Sequence, residues 1–177
     1  MKKKHLFFLF LIPLIFLIVF LVLKNPEEQK FFPVNVNGRF SISLPDFLHP
    51  AAGIDSSAAL QYENEKENIF VLVYEITPDS SAKQISTQAY FKSLADEFAS
   101  RLERGKLVKF YPQKIGGRNG FVGNILGTVD GTQLYYRIAL VKNADEFYEV
   151  IIGTTRSRKS EHNENINQMI NSIIFLE

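Results

Sequence analysis

The chain has 177 residues, 20 basic and 19 acidic side chains, and no cysteine. That length suits one domain with a short appendage, and a core of this size needs no disulfide or metal staple. The lack of cysteine excludes a thiol nucleophile, a cysteine-based zinc site and a lipid-accepting cysteine.

The formal charge of +1 hides an asymmetry. Lys2, Lys3, Lys4 and Lys24 precede every acid, so residues 25–177 hold 16 basic against 19 acidic groups. A slightly acidic domain lacks the basic face that phosphate backbones require, and no nucleic-acid partner is expected.

After the lysines and His5, Leu6 to Leu23 is an apolar run of 18 residues containing Pro13. As a helix it spans about 27 Å, enough to cross a bilayer and longer than the core of a signal peptide. The exit, Val22-Leu23-Lys24-Asn25-Pro26, offers no small residues at cleavage positions. Residues 1–24 are therefore read as a cytoplasmic tip and an uncleaved anchor helix, with the membrane entered through residues 6–23. Lysines before the helix and Glu27 and Glu28 after it place the N-terminus in the cytoplasm and the domain outside. A secreted or periplasmic form released by cleavage is the alternative.

Residues 25–38, polar and containing Pro26 and Pro33, read as a linker. The folded unit is set at 39–177. Phe40-Ser41-Ile42-Ser43-Leu44 alternates as a half-buried strand ending at Pro45, and 46–57 reads as loop. Ala59–Glu63 suggests a short strand. Ile69–Tyr74 is apolar at every position, as in a strand covered on both faces.

Phe91, Leu94, Ala95, Phe98 and Leu102 fall on one face of a helix, with Asp79, Ser80 or Ser81 as its cap and Gly105 as its stop. Four strands follow as a meander: Leu107–Ile115, Phe121–Val129, Gln133–Val141 and Phe147–Thr154. They turn at 116–120, at Asp130-Gly131 and at 143–145; such short connections force antiparallel pairing. Ile166, Met169, Ile170 and Ile173 give a last helix an apolar face, with Ser160 as its cap. The fold class is α/β (α+β): an antiparallel sheet of about six or seven strands with helices on both faces, an α/β/α sandwich.

No constellation carries catalysis. His5, His49 and His162 lack partners at metal-ligand spacing, and no His-Glu-x-x-His pattern occurs. Glu63, Glu65 and Glu67 alternate as in a solvated hairpin tip. Gly116-Gly117-Arg118-Asn119-Gly120 lacks the lysine of a phosphate loop and precedes a strand, so it reads as a hairpin turn. Gly123 and Gly127 leave gaps on one strand face that large neighbours or a ligand would fill. No catalytic, metal or cofactor residue is assigned. The binding candidates are Arg118 and Asn119 in the glycine turn, with Arg156 and Arg158 in the loop before the last helix, because arginine forks pair and stack at interfaces.

The order of elements resembles the PsbP/Mog1-like fold family over about residues 39–176. The opening strand Phe40-Ser41-Ile42-Ser43-Leu44-Pro45 is similar to that family's first strand. The turn at Ile115-Gly116-Gly117, the strand Phe147–Ile152 and a terminal helix ending near Ser172-Ile173-Ile174-Phe175 complete the likeness. The resemblance implies an accessory or adaptor domain without a common active site. It differs from lipoprotein members in having no lipid-accepting cysteine, which leaves tethering to the anchor helix.

The expectation is a membrane-tethered, extracytoplasmic accessory or protein-binding domain, not an enzyme, whose partner is a membrane or envelope protein. The alternative is a carrier or sensor domain for a lipid or other apolar small ligand.

Overall fold

A computed structural model describes residues 29–78 and 85–176. The span read at residues 6–23 lies outside them, and no helix among the described residues is long and apolar enough to cross a membrane.

The compact unit begins at Phe31, inside the stretch read as linker. Strand β1 (Phe31–Val36) and β2 (Phe40–Pro45) pair around Asn37-Gly38, whose positive φ angles of 51° and 70° suit a tight hairpin turn. Pro33 is tolerated because β1 is an edge strand. The domain boundary at residue 39 is thereby corrected.

Next come β3 (His49–Pro50), β4 (Leu60–Asn64) and β5 (Ile69–Ile76). Helix α1 covers Thr87–Ser100. The meander follows as β6 (Glu103–Ile115), β7 (Arg118–Val129), β8 (Thr132–Asn143) and β9 (Glu146–Thr155). Helix α2 (Lys159–Asn171) and the two-residue β10 (Ile174–Phe175) close the chain. The main sheet has seven strands in the order β3-β4-β5-β9-β8-β7-β6, all pairs antiparallel. β2, expected to open that sheet, instead forms a three-stranded sheet in the order β1-β2-β10.

Alternation along the strands divides the core in two. On one face Val71, Val73, Tyr135, Ala139, Val150 and Ile152 pack with Ile42 and Leu44 of β2 and Ile166, Met169 and Ile170 of α2. On the other, Leu72, Tyr136, Ile138, Leu140, Phe147 and Ile151 pack with Phe91, Ala95 and Ala99 of α1. One helix thus covers each face, and the small sheet shares a side with α2.

Both helix caps differ from expectation. Ser86 caps α1, its Oγ accepting from Ala89 N at 3.2 Å, so the cap lies beyond Asp79, Ser80 and Ser81. Helix α2 begins at Lys159 after Arg158 and has no side-chain cap, which places Ser160 inside its first turn. Gly105 does not stop α1, which ends at Ser100 with Arg101 as its C-cap. It lies in β6, so close to the helix end that a Cβ there would fall 1.9 Å from Ala99 O.

Candidate functional site

The β6–β7 turn is shorter than the sequence suggests. Gly116 and Gly117 alone make it, with φ of 55° and 77°, and Arg118 pairs with Ile115 as the first residue of β7. Arg118 and Asn119 are therefore exposed strand residues. The Arg118 guanidinium lies 4.7 Å from the Phe175 ring centroid. Asn119 helps line an open cleft of about 550 Å³ with Ser86, Thr87, Pro112, Lys114 and Phe121.

Arg156 donates from its backbone N to Gln133 O at 2.9 Å and from Nη1 to Gln133 Oε1 at 3.2 Å. Arg158 pairs with Glu67 and approaches Glu161 at 3.7 Å. His162 is buried, and its Nε2 contacts the Glu67 carbonyl at 2.9 Å. Arg158 and His162 thus tie α2 to the β4–β5 hairpin.

The two arginine segments lie at opposite ends of the sheet. Gly120, two residues after Arg118, faces Val141, whereas Thr155, before Arg156, faces Leu134. Seven strand residues separate those levels, roughly 23 Å. They do not form one surface.

The glycine gaps of β7 are filled from within. A Cβ on Gly123 would meet Phe91 Cζ at 2.7 Å, and one on Gly127 would meet Leu102 Cβ at 2.6 Å. The long edge strand β6 carries Lys106, Lys109, Lys114 and Pro112, and its pairing with β7 is interrupted by two register shifts. Lysines, proline and bulges discourage addition of a further strand.

A different site emerges where β9 meets α1. Alternation in β9 turns Phe147, Glu149 and Ile151 toward α1, so a carboxylate occupies a position otherwise given to core side chains. Glu149 is only 8% exposed. Its cross-strand neighbour on β5 is Tyr74. Leu94, Glu97, Phe98 and Arg101 close the site from the helix side, and Asp55 and Ser57 from the β3–β4 loop. These residues and Ile151 line a cleft of about 240 Å³.

Most polar groups of the cleft are already engaged. Asp55 accepts from Ser57 N at 2.8 Å, Ser57 Oγ at 2.6 Å and Tyr74 OH at 3.0 Å. Those hydrogen bonds, from Ser57 first, hold its carboxyl below the ordinary value. Burial, then the Asp55 carboxylate, push the Tyr74 phenol upward. Glu97 and Arg101 form an ion pair along the helix.

Glu149 is the exception. Its carboxylate makes no hydrogen bond or ion pair with any described residue. Burial, with Glu97 adding like charge and Arg101 partly opposing, raises its pKa to about 7. The enclosed unpaired oxygens among the described residues are Glu75 Oε1 and Thr154 Oγ1, so the Glu149 carboxylate itself reaches the solvent of the cleft. A largely buried carboxyl with a displaced pKa at the edge of an open cleft is a mark of a functional site. The cleft holds no histidine or thiol, and the described residues contain no group of three metal-ligating side chains. What the arrangement offers is recognition of a hydrogen-bond donor or a cation. The sequence does carry the signal: Glu149 is the one acid within the apolar strand Phe147–Ile152.

No protein-family model matches the sequence, and no curated protein matches it. Solved structures do. The cyanobacterial PsbP (CyanoP) of Synechocystis superposes with a TM-score of 0.62 at 9% identity, covering 85% of this chain and 95% of that one. The Ran-binding protein Mog1p of Saccharomyces cerevisiae gives 0.56 at 12% identity, covering 85% and 97%. LpqN of Mycobacterium tuberculosis, involved in cell envelope biogenesis, gives 0.55 at 10% identity, covering 85% and 93%. At such identities the likeness is one of fold: this chain has the PsbP/Mog1-like fold.

Proposed function

We propose that the protein is a membrane-tethered, extracytoplasmic accessory domain that binds a protein partner of the membrane or envelope through the Glu149 cleft and carries no catalytic activity. One observation carries the binding assignment: a largely buried glutamate whose carboxylate meets no protein partner and opens onto the solvent of a cleft. Such a group costs stability as long as it stays alone, and a ligand that meets it relieves that cost. The fold relatives support a binding role, one being a Ran-binding protein and another a participant in cell envelope biogenesis. The tether rests on the apolar run Leu6–Leu23 behind three lysines. Arg118 with Asn119, and Arg156, are exposed but lie at opposite ends of the sheet, so at most one of the two segments reaches a partner seated at the cleft; Arg158 is committed to Glu67.

The test is photo-cross-linking in intact cells with benzoylphenylalanine in place of Leu94, at the cleft, or Val108, exposed on β6. A discrete protein adduct from position 94 and none from 108 is expected. No adduct from the cleft would remove the partner-binding reading. A cysteine introduced at Val108 reports the topology, since the chain has none of its own. Labelling by a membrane-impermeant maleimide in intact cells is expected; protection would put the domain inside.

A further inference from the structure

We infer that the group received by the Glu149 cleft is an arginine or lysine side chain presented by the protein partner, its cationic end at the Glu149 carboxylate. This deepens the partner-binding reading and rests on it. Charge is the first ground. The cleft brings together Asp55, Glu97 and Glu149 against a single cation, Arg101, which already pairs with Glu97. Asp55 feels the Arg101 charge but forms no ion pair with it, its oxygens accepting only neutral donors from Ser57 and Tyr74, so the acids of the cleft outnumber its cation.

Shape is the second ground. At about 240 Å³ the cleft is smaller than the range of about 300–1,000 Å³ usual for small-molecule sites, and it suits a single long side chain. Leu94, Phe98 and Ile151 supply apolar walls. Lysine and arginine have this complementary form, an apolar stem ending in a charge.

The third ground is Glu149 itself. It is nine-tenths buried, makes no hydrogen bond with any described residue, and lines the cleft. A cation docking there supplies the missing partner and favours the ionised carboxylate. The groups that face it are Glu97 and Arg101 from α1, Tyr74 from β5 and Asp55 from the loop. Alone, Glu149 is protonated through much of the range below pH 7. Binding a cation then requires loss of that proton, so affinity falls in acid.

The full-length chain, labelled with ¹³C at glutamate carboxyls, is titrated with capped Gly-Arg-Gly and Gly-Lys-Gly peptides and with an isosteric norleucine peptide. At pH 8 a saturable shift of the Glu149 carboxyl signal is expected with a basic peptide and none with norleucine. Affinity at pH 5.5 should fall at least about tenfold. Glu149→Gln, an isosteric change whose fold is checked by an unchanged amide spectrum, should abolish binding and its pH dependence. Asp55→Asn should weaken binding without abolishing it.

Binding that is equal for norleucine, or unaltered by Glu149→Gln, overturns the inference. Methylguanidine binding as tightly as the arginine peptide would make the occupant a free small cation and overturn it too. If the basic peptides fail while the adduct from position 94 persists, the partner reading stands and its contact is of another kind. If both fail, the partner reading fails with it.

Discussion

Phe91 of α1 is seated directly on Gly123 of β7, where an added methyl would lie 2.7 Å from Phe91 Cζ. The missing side chain on the strand is what lets the helix approach the sheet, and Phe91 is 1% exposed as a result. Gly123→Ala is expected to destabilise the fold by about 1–3 kcal/mol, as overpacking does. Phe91→Ala, which empties the seat, should cost about 3–5 kcal/mol. Phe98→Ala should cost less, because Phe98 is only partly buried against Tyr136. Denaturant unfolding of the three variants checks the order. A neutral Gly123→Ala would mean that the helix stands further from the sheet.

The Glu149 carboxyl makes stability depend on pH in an unusual direction. Its pKa in the fold, about 7, lies above the ordinary carboxylate value of 4.5. Below about pH 4.5 folded and unfolded chains both hold the proton and no penalty exists. Between about 4.5 and 7 the unfolded chain has lost the proton that the fold keeps, so stability falls as pH rises. Above about 7 the penalty is complete, about 3 kcal/mol at most. Asp55 and Glu146, whose values are lowered, act in the opposite sense, losing their contribution below about pH 4. Chemical unfolding from pH 4.5 to 8 should show that decline in the wild type and a flatter profile in Glu149→Gln. Equal slopes would show that Glu149 is not buried as described.

The β6–β7 hairpin end is expected to tolerate change. Arg118 stacks over Phe175 at the surface, a cation–π contact worth about 0.5–1 kcal/mol. The double change Arg118→Ala with Asn119→Ala should therefore lower stability by about 1 kcal/mol or less. Loss of the folded state would mean that Arg118 is structural. If the double variant keeps the partner in full, this turn is not a contact.

The tether has its own measurement. Intact mass of the chain extracted from membranes should correspond to residues 1–177. A mature protein starting between residues 24 and 40 would make it a released form.

Much of the fold was legible because alternation and turn chemistry act locally. The all-apolar strand at Ile69, the hairpin at Asp130-Gly131 and the four-stranded meander follow from those rules, and the structure contains each of them. Strand β1 was missed because Pro33 argues against a strand, although Asn37-Gly38 beside Phe32, Val34 and Val36 is a hairpin signal. Proline's missing donor matters little at an edge, but edge position is a property of the assembled sheet. Glu149 was missed for a related reason. One acid in an apolar strand has no meaning until the register shows which side chains from α1 and the β3–β4 loop gather around it. Arg118 and Arg156 were sensible candidates in sequence, yet the sheet carries them to opposite ends.

The paired measurement of stability and partner binding in Glu149→Gln tests the central claim most directly. A carboxylate kept for recognition costs stability while unoccupied, so removing its charge should improve one property and damage the other. At pH 8 the variant is expected to be more stable than the wild type by up to about 3 kcal/mol and to lose the adduct formed from position 94. A variant that is more stable and still forms the adduct at wild-type yield would contradict the account.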